Sequence, residues 1–473
     1  MGNSSDTMSF RNPLSVVGLA LLLVSRLVSG QTPQRPDYQI LRYDEDWSLL
    51  RDPGVRTDPW DRLKYLSLGN PGWFLTLAGE ARERYELLNH PSFGSAPTDN
   101  NGYLLQRYLF SSDFHLGPRF RIFTELQSGL EAGRNGGPRL TDEDKLDVHQ
   151  AFVDVRLLSR KNQNLKLRVG RQEVRFGTGR LISPGEGLNV RRSLDGARVI
   201  YETGPWTWNL TALRLVNVSP GYFDDVPDHS QSFWGAGVIG PHPIWKGANF
   251  TVYYLGADRK HAAFDRGVGR AIRETLGSRS WTVSGPWDLS YEGIFQWGSF
   301  QGEPIRAWAL SSESGFTMSL PGWKPRIGLH ADATSGDRGT GRRPLGSFDP
   351  LFPSSTAYPD PSGILGPTNL IVVEPTLKLQ IVPQVSMTLA TASFLRESLT
   401  DGIYGIFLNP LRPSGLSTAR YVATQSSATL SWRISRHATA VWFYEHFFNG
   451  QFLTQSPPFR TVNFFNSTLS YRF

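Results

Sequence analysis

From Trp73 to the C-terminal Phe473 the chain falls into segments of about ten residues in which apolar and polar or charged side chains alternate. Turns rich in Gly, Pro, Asn and Asp divide the segments. In Leu75 to Tyr85, Leu75, Leu77, Gly79 and Ala81 share one face; Thr76, Glu80, Arg82 and Arg84 share the other, and Glu86 follows. Arg119 to Ser128 divides into Phe120, Ile122, Thr124 and Leu126 against Arg119, Arg121, Glu125 and Gln127. Leu165, Leu167 and Val169 stand opposite Lys166 and Arg168. Such a period of two predicts strands with one apolar and one wetted face. A soluble sandwich reads the same way with its faces reversed; the length, the export signal described below and the number of strands favour a closed antiparallel transmembrane β-barrel.

Counting turn-bounded segments gives about eighteen strands, an even number that returns the C-terminus to the side where the barrel began. Brief connections such as Leu116-Gly117-Pro118 and Val382-Pro383-Gln384 alternate with longer ones. The longest irregular stretches are expected around Ala257 to Arg279, Gly336 to Asn369 and Glu397 to Arg420, with outer loops folded inward. Aromatic residues make up 12% of the chain, and many Trp near segment ends suit interfacial girdles. The last segment places Phe465, Ser467, Leu469, Tyr471 and Phe473 on one face, a terminal alternation similar to the C-terminal signal of bacterial outer-membrane barrels.

Residues 1–30 read as a secretory signal: Arg11 in a polar start, an apolar run from Val16 to Val24, then Val28-Ser29-Gly30. Arg26 keeps that run shorter than the roughly 20 residues a membrane helix needs. Residues 31–72 are irregular and are expected to form a periplasmic N-terminal segment or plug, with the barrel occupying 73–473. There is no cysteine, so the sheet itself must supply stability in an oxidising compartment.

The formal charge is +7, which favours anionic partners. Eight of the forty-nine basic residues are Lys, so forty-one are Arg, whose planar fork pairs repeatedly with carboxylates and phosphates. Export disfavours nucleic acid as the partner. Basic residues concentrate in Leu167-Arg168-Val169-Gly170-Arg171-Gln172-Glu173, Asn189-Val190-Arg191-Arg192-Ser193 and Asp195-Gly196-Ala197-Arg198, around one expected outer loop. Two readings stand level: a salt-bridged network that holds the loop, or a constriction whose free Arg attract carboxylates.

Catalysis and metals have weaker support. Ser111, Asp113 and His115 share a strand face, with His149 nearby in sequence, but a spacing of about 7 Å between alternate residues is too long for a hydrogen-bonded pair. The nine His show no HxH or HxxxH pair, so a transition-metal site has no sequence support. Asp142-Glu143-Asp144 and Asp224-Asp225 could offer calcium oxygen ligands, although solvated loop carboxylates are the simpler expectation. Gly267-Val268-Gly269 precedes a possible short helix to Leu276, with no strand-turn-helix context for a nucleotide loop.

Gly79-Glu80-Ala81-Arg82-Glu83-Arg84-Tyr85, Leu105-Gln106-Arg107-Tyr108, His149-Gln150-Ala151-Phe152-Val153-Asp154, the LRVGRQE run from Leu167 and the NVRRSLDGAR run from Asn189 resemble the alginate export family of outer-membrane barrels. Trp323-Lys324-Pro325-Arg326, Ser335-Gly336-Asp337 and Phe348-Asp349-Pro350-Leu351-Phe352-Pro353 extend the resemblance over nearly the whole mature chain. It implies an eighteen-stranded monomeric barrel with an Arg-lined, electropositive constriction, in a family named after a secretion porin for a polymer of uronic acids. His149-Gln150 departs from the exporter's pattern, which carries an Arg there.

The expectation is therefore an outer-membrane porin without catalysis or cofactor. It would pass anionic solutes, an acidic, uronate-containing polysaccharide such as alginate among them. Arg82, Arg84, Arg107, Arg121, Arg168, Arg171, Arg191, Arg192 and Arg198 would supply the positive potential, and Glu80, Asp113, Asp154 and Asp195 would orient them. Expected partners are outer-membrane lipid, the solute, and the barrel-assembly machinery through the C-terminal strand. A lipid-active barrel enzyme and a plugged structural or adhesive barrel remain the alternative classes.

Overall fold

The computed structural model describes residues 35–98, 101–320, 324–339 and 343–473. The expected signal segment and Trp323 lie outside these described residues. Eighteen long strands form the wall: β1 (Trp73–Asn89), β2 (Tyr103–Leu116), β3 (Phe120–Ala132), β4 (Asp144–Arg160), β5 (Gln163–Gln172) and β6 (Leu194–Thr203). Next come β7 (Trp206–Asn217), β8 (Gln231–Pro241), β9 (Asn249–Phe264), β10 (Gly267–Ser284), β11 (Trp287–Phe300) and β12 (Glu303–Thr317). The wall ends with β13 (Arg326–Thr334), β14 (Leu370–Val382), β15 (Val385–Arg396), β16 (Tyr421–Arg433), β17 (Ala438–Asn449) and β18 (Asn463–Arg472). Every strand pairs antiparallel with its sequence neighbours, and β18 returns to β1 from Glu80↔Arg472 to Asn89↔Asn463, so no edge remains. Phe473 completes the seam, exchanging backbone hydrogen bonds of 3.1 and 3.0 Å with Gly79.

Alternation decides which face meets what. On β1, Glu80, Arg82 and Glu86 are buried inside, whereas Trp73 and Tyr85 are exposed outside. On β3 the same division buries Glu125 and Gln127 and exposes Phe120, Ile122 and Leu126. An exposed apolar belt around a charged interior is the inverse of a soluble protein and suits hydrocarbon outside, water inside. Among the described residues no helix is long and apolar enough to cross a membrane. Outward Trp73, Trp208, Trp287 and Trp432 mark the rim nearest Phe473, and Tyr85, Trp297, Tyr421 and Phe448 mark the other.

Connections at the Phe473 end are short, as Gly117-Pro118-Arg119 and Pro383-Gln384 show, and those at the far end include 173–193, 335–369 and 397–420. Two of the three expected irregular stretches are therefore where the pattern put them. The stretch Ala257 to Arg279 is not irregular, and Gly267 to Leu276 is not a helix: both belong to the β9–β10 hairpin, paired from Asn249↔Trp281 to Phe264↔Gly267. Its outer part carries the exposed Arg270–Asp258 ion pair of 2.6 Å. Charged outward residues end the apolar alternation there, while the backbone ladder continues beyond it.

Two long loops turn inward and pack together. Ile182 bridges Phe352, with Ser183 N–H donating to the Phe352 carbonyl at 3.0 Å and Phe352 N–H to the Leu181 carbonyl at 2.8 Å. Val174, Leu181, Ile182, Phe348 and Leu351 join Leu213, Phe233 and Leu255 of the wall in one apolar cluster. From the other end, residues 35–65 enter the barrel mouth. Trp47, Leu50 and Tyr65 pack on inward Phe74, and Tyr43 packs on inward Phe123 and Phe152. Arg42 donates to the Phe473 carbonyl at 2.7 Å, and Trp60 stacks on its ring at 4.3 Å.

Candidate lumenal site

Paired glycines shape the wall where the Arg-rich block sits. Gly170 and Gly196 are register partners with φ of 130° and 148°. A Cβ on either would lie 2.2 Å from the carbonyl of Ala151 or Ala212 on the next strand, so only glycine fits. Arg171 and Asp195 follow as partners one step along.

The first group of sequence-selected residues lies where β1, β2 and β18 meet. Arg107 donates to Glu80 at 2.6 and 3.0 Å, and Arg472 donates to the other Glu80 oxygen at 2.7 Å. Glu186, at the tip of the 173–193 loop, reaches into this group, 2.9 Å from Arg107, 3.1 Å from Arg472 and 3.0 Å from Arg191. Burial alone would raise the Glu186 carboxyl, but Arg107 and Arg191 bring it down to about 2, so it is anionic at neutral pH. Arg82 and Arg84 hold the loop backbone, donating to the carbonyls of Glu186 (2.9 Å), Leu188 (2.7 Å) and Gly187 (2.6 Å). Here the network reading of the Arg block describes the geometry.

A second group spans β2 to β6. Arg121 grips Asp113 through two 2.7 Å bonds and donates to the Tyr43 carbonyl at 2.6 Å. Arg168 grips Asp154 at 2.7 and 2.9 Å while seated in the corner formed by the perpendicular rings of Tyr43 and Phe152, 4.0 and 3.9 Å from their centroids. Arg171 pairs with Asp195 at 3.0 Å. Arg198 stands directly opposite Arg168 in the ladder and, among the described residues, donates to the Asn209 amide oxygen at 3.2 Å with no ion pair. Arg192 donates to the carbonyls of Ser183 and Phe352, both at 2.9 Å. Burial and nearby Arg259 lower its guanidinium to about 10, so it stays protonated at pH 7.

The thirteen sequence-selected residues thus divide into ion-paired ones and three, Arg82, Arg192 and Arg198, with no carboxylate within ion-pair distance among the described residues. Arg175 and Arg279 share that condition, meeting the Thr178 carbonyl and the Ser290 hydroxyl. Sequence reading missed these two, along with Glu186, Arg472 and Arg180. Arg180 ties the inward loop to the far wall through Asp332 at 2.9 Å and Ser311 at 2.7 Å. The available signal for Glu186 was a single acid in Ser183-Pro184-Gly185-Glu186-Gly187, inside an Arg-dense block.

Two further expectations need correction. His115 and Asp113 do hydrogen bond, at 3.1 Å, because their side chains lean together across the alternate-residue gap. Ser111 does not join them: it turns to the Ala78 carbonyl, and Arg121 occupies the same Asp113 oxygen. Asp142 and Asp144 are buried at the loop base instead of solvated. Asp142 is held by Arg134 at 2.8 Å and Arg139 at 3.0 Å. Glu125, His149 and Glu173 converge closely enough for a metal, but Arg191 binds both Glu173 oxygens at 2.6 and 2.7 Å, so a guanidinium already neutralises that group.

A family model described as alginate export matches residues 74–465. The fold is similar to that of the OccK11 (OpdR) crystal structure from Pseudomonas aeruginosa, with a TM-score of 0.55 and 13% identity, over 86% of this chain and 99% of that one. A BenF-like porin from Pseudomonas fluorescens Pf-5 gives a TM-score of 0.53 and 11% identity, over 84% and 98%. OccK2 (OpdF) from Pseudomonas aeruginosa, solved in complex with glucuronate, gives 0.53 and 12%, over 84% and 96%. Comparison with curated proteins returns no match.

Proposed function

Because this chain belongs to the alginate export family and is an outer-membrane β-barrel channel, we propose that its solutes are anions, and that uronate-bearing saccharides are the class it passes. The observation that carries this reading is the set of guanidiniums without carboxylate partners: Arg82, Arg175, Arg192, Arg198 and Arg279. Each is fixed by neutral oxygens, so no carboxylate within ion-pair distance cancels its charge, and its field adds to the positive potential of the barrel interior. The paired residues have a complementary task. Glu80, Asp113, Asp154 and Asp195 orient Arg107, Arg121, Arg168 and Arg171, while Arg84 and Arg191 hold the inward loop, so the passage is shaped without being neutralised. A carboxylate moving past fixed guanidiniums is attracted at several points and trapped at none, as conduction down a gradient requires.

Glucuronate bound to a porin of the same fold supports a sugar carboxylate as a solute of suitable size. On this reading the chain is exported through residues 1–30, inserted by the barrel-assembly machinery through its C-terminal strand, and works as a monomer. Residues 35–65 narrow the periplasmic mouth. The test is the reversal potential of purified protein in planar bilayers under a potassium chloride gradient, followed by titration with oligouronates. Anion preference and uronate block are expected. Cation preference would overturn the reading, and a barrel that never conducts would instead mark it as plugged and structural.

A further inference from the structure

At the outer end of the barrel, opposite Phe473, the loop between β7 and β8 crosses the start of β4. Leu146 N–H donates to the Gly221 carbonyl at 3.4 Å, and Phe223 N–H donates to the Leu146 carbonyl at 2.9 Å. This crossing brings Asp224 and Asp225 of the loop onto Asp147 of the strand, and one carboxylate oxygen from each of the three lies within 4.8 Å of the others. Backbone bonds fix two of them: Asp225 N–H donates to Asp147 at 3.0 Å and Ser219 N–H donates to Asp225 at 2.7 Å. A separate observation concerns Asp144, which is 0% exposed and whose two carboxylate oxygens both lack a hydrogen-bond partner. Its like-charge neighbours are Asp225, Asp147 and Asp224, and the Gln127 amide is the polar group beside it that eases its charge.

The local charge does not balance. Among the described residues the nearest guanidinium, Arg171, stands 3.7 Å from Asp147 and is already paired with Asp195 at 3.0 Å. A buried carboxylate with three acidic neighbours costs several kcal/mol in its charged form, so it takes up either a proton or a metal cation. We propose that Asp147, Asp224 and Asp225 form a calcium site, with the buried Asp144 carboxyl as the charged neighbour behind them, that clamps the β7–β8 loop to the outer rim of the barrel. An all-oxygen carboxylate set selects a hard cation. Ligands drawn from one strand and one irregular loop suit the variable geometry of calcium better than the near-ideal octahedron magnesium demands. Exposed Asp224 gives the ion access from outside, where an affinity of about 10⁻⁴ to 10⁻³ M suffices.

The experiment is calorimetric titration of the whole refolded barrel in detergent with calcium chloride, paired with proteolysis of the 218–230 loop. One calcium per barrel and slower cleavage of the loop are expected. Asp144→Asn combined with Asp225→Asn should weaken binding about tenfold or more. Asp144→Asn alone should raise thermal stability in chelator, because it relieves like-charge crowding, while losing the calcium response. Asp142→Asn, in the neighbouring Arg134–Arg139 pair, should bind as the parent does. Three results would overturn the site: no calcium heat at about 10 mM, equal binding of magnesium, or equal loss in Asp142→Asn. Should the double variant fail to refold, terbium luminescence on the parent decides, since displacement by calcium supports the site and its absence refutes it.

Discussion

Arg168 and Arg198 are register partners on one face of the β5–β6 ladder, yet their surroundings assign them different work. Arg168 is 1% exposed, forked onto Asp154 and in cation–π contact with both Tyr43 and Phe152. Removing one partner of a buried pair costs about 3–5 kcal/mol. Lys166 at 3.8 Å and Arg121 at 3.7 Å remain to attend Asp154, which favours the lower end of that range. Lost cation–π contact with two rings adds about 1 kcal/mol. Arg168→Gln should therefore lose ~4 kcal/mol in urea unfolding followed by tryptophan fluorescence, and expose residues 35–65 to protease as Tyr43 loses its support. Arg198→Gln gives up a single amide contact, so its stability should stay within about 0.5 kcal/mol of the parent. What it removes is charge: for an ion passing about 8 Å away in water the Coulomb contribution is about 0.5 kcal/mol, roughly a twofold loss for the anion and a twofold gain for the cation, so anion over cation permeability should fall about fivefold at low salt. At 1 M salt, where the Debye length is about 3 Å, the difference should vanish. Unchanged selectivity of Arg198→Gln at low salt would show that unpaired guanidiniums do not set the field. Parental stability of Arg168→Gln would show that its fork and ring contacts are not structural.

Glu186→Gln leaves Arg107, Arg191 and Arg472 without their shared carboxylate while Arg82 and Arg84 still hold the loop backbone. Noisier open-channel current and stronger anion preference are expected in single-channel records; identical records would mean that Glu186 neither anchors nor neutralises. Lys64 lies inside the segment at the Phe473 end, where burial and then Arg42 lower its amine to about 7, partly offset by the Glu45 and Asp58 carboxylates. Because the folded value lies below the unfolded one near 10.4, docking of residues 35–65 should strengthen as pH rises from 7 towards 10, by at most on the order of 4 kcal/mol. Protease resistance of that segment against pH reads this, and Lys64→Met should flatten the profile.

The fold was legible because alternation with period two is local, and because the length, the expected export signal and the number of alternating segments fit a barrel in lipid better than a soluble sandwich, whose faces would be reversed. The structure then puts Arg and Glu inside and Phe, Leu and Trp outside. The misread stretch, Ala257 to Arg279, shows where locality fails. The β9–β10 strands extend past the apolar belt, so their outward residues become Asp258, Lys260 and Arg270 while the ladder runs on unmarked in the side-chain pattern. The Arg block at 167–198 was legible as a block, and its division into roles was not. Partners come from residues far away in sequence: Arg472 meets Glu80, Tyr43 meets Arg168, and Phe352 meets Arg192.

Closure of the barrel hides such a division. A guanidinium on an inward position always faces the lumen, and its alternation with apolar residues guarantees this, but whether it is neutralised depends on which loop tip arrives opposite it. Glu186 arrives at Arg107 because the 173–193 loop turns inward, and it turns inward because Leu181 and Ile182 have an apolar partner in Phe348, Leu351 and Phe352 from the 335–369 loop. Apolar packing between two loops thus decides which lumenal charges are cancelled. Weakening it, with no change to any charged residue, should redistribute the field: Ile182→Ser in this cluster should alter ion selectivity although no ionisable group is touched. If that variant assembles with unaltered selectivity, the loop positions are fixed by the arginines alone, and the apolar contact only follows.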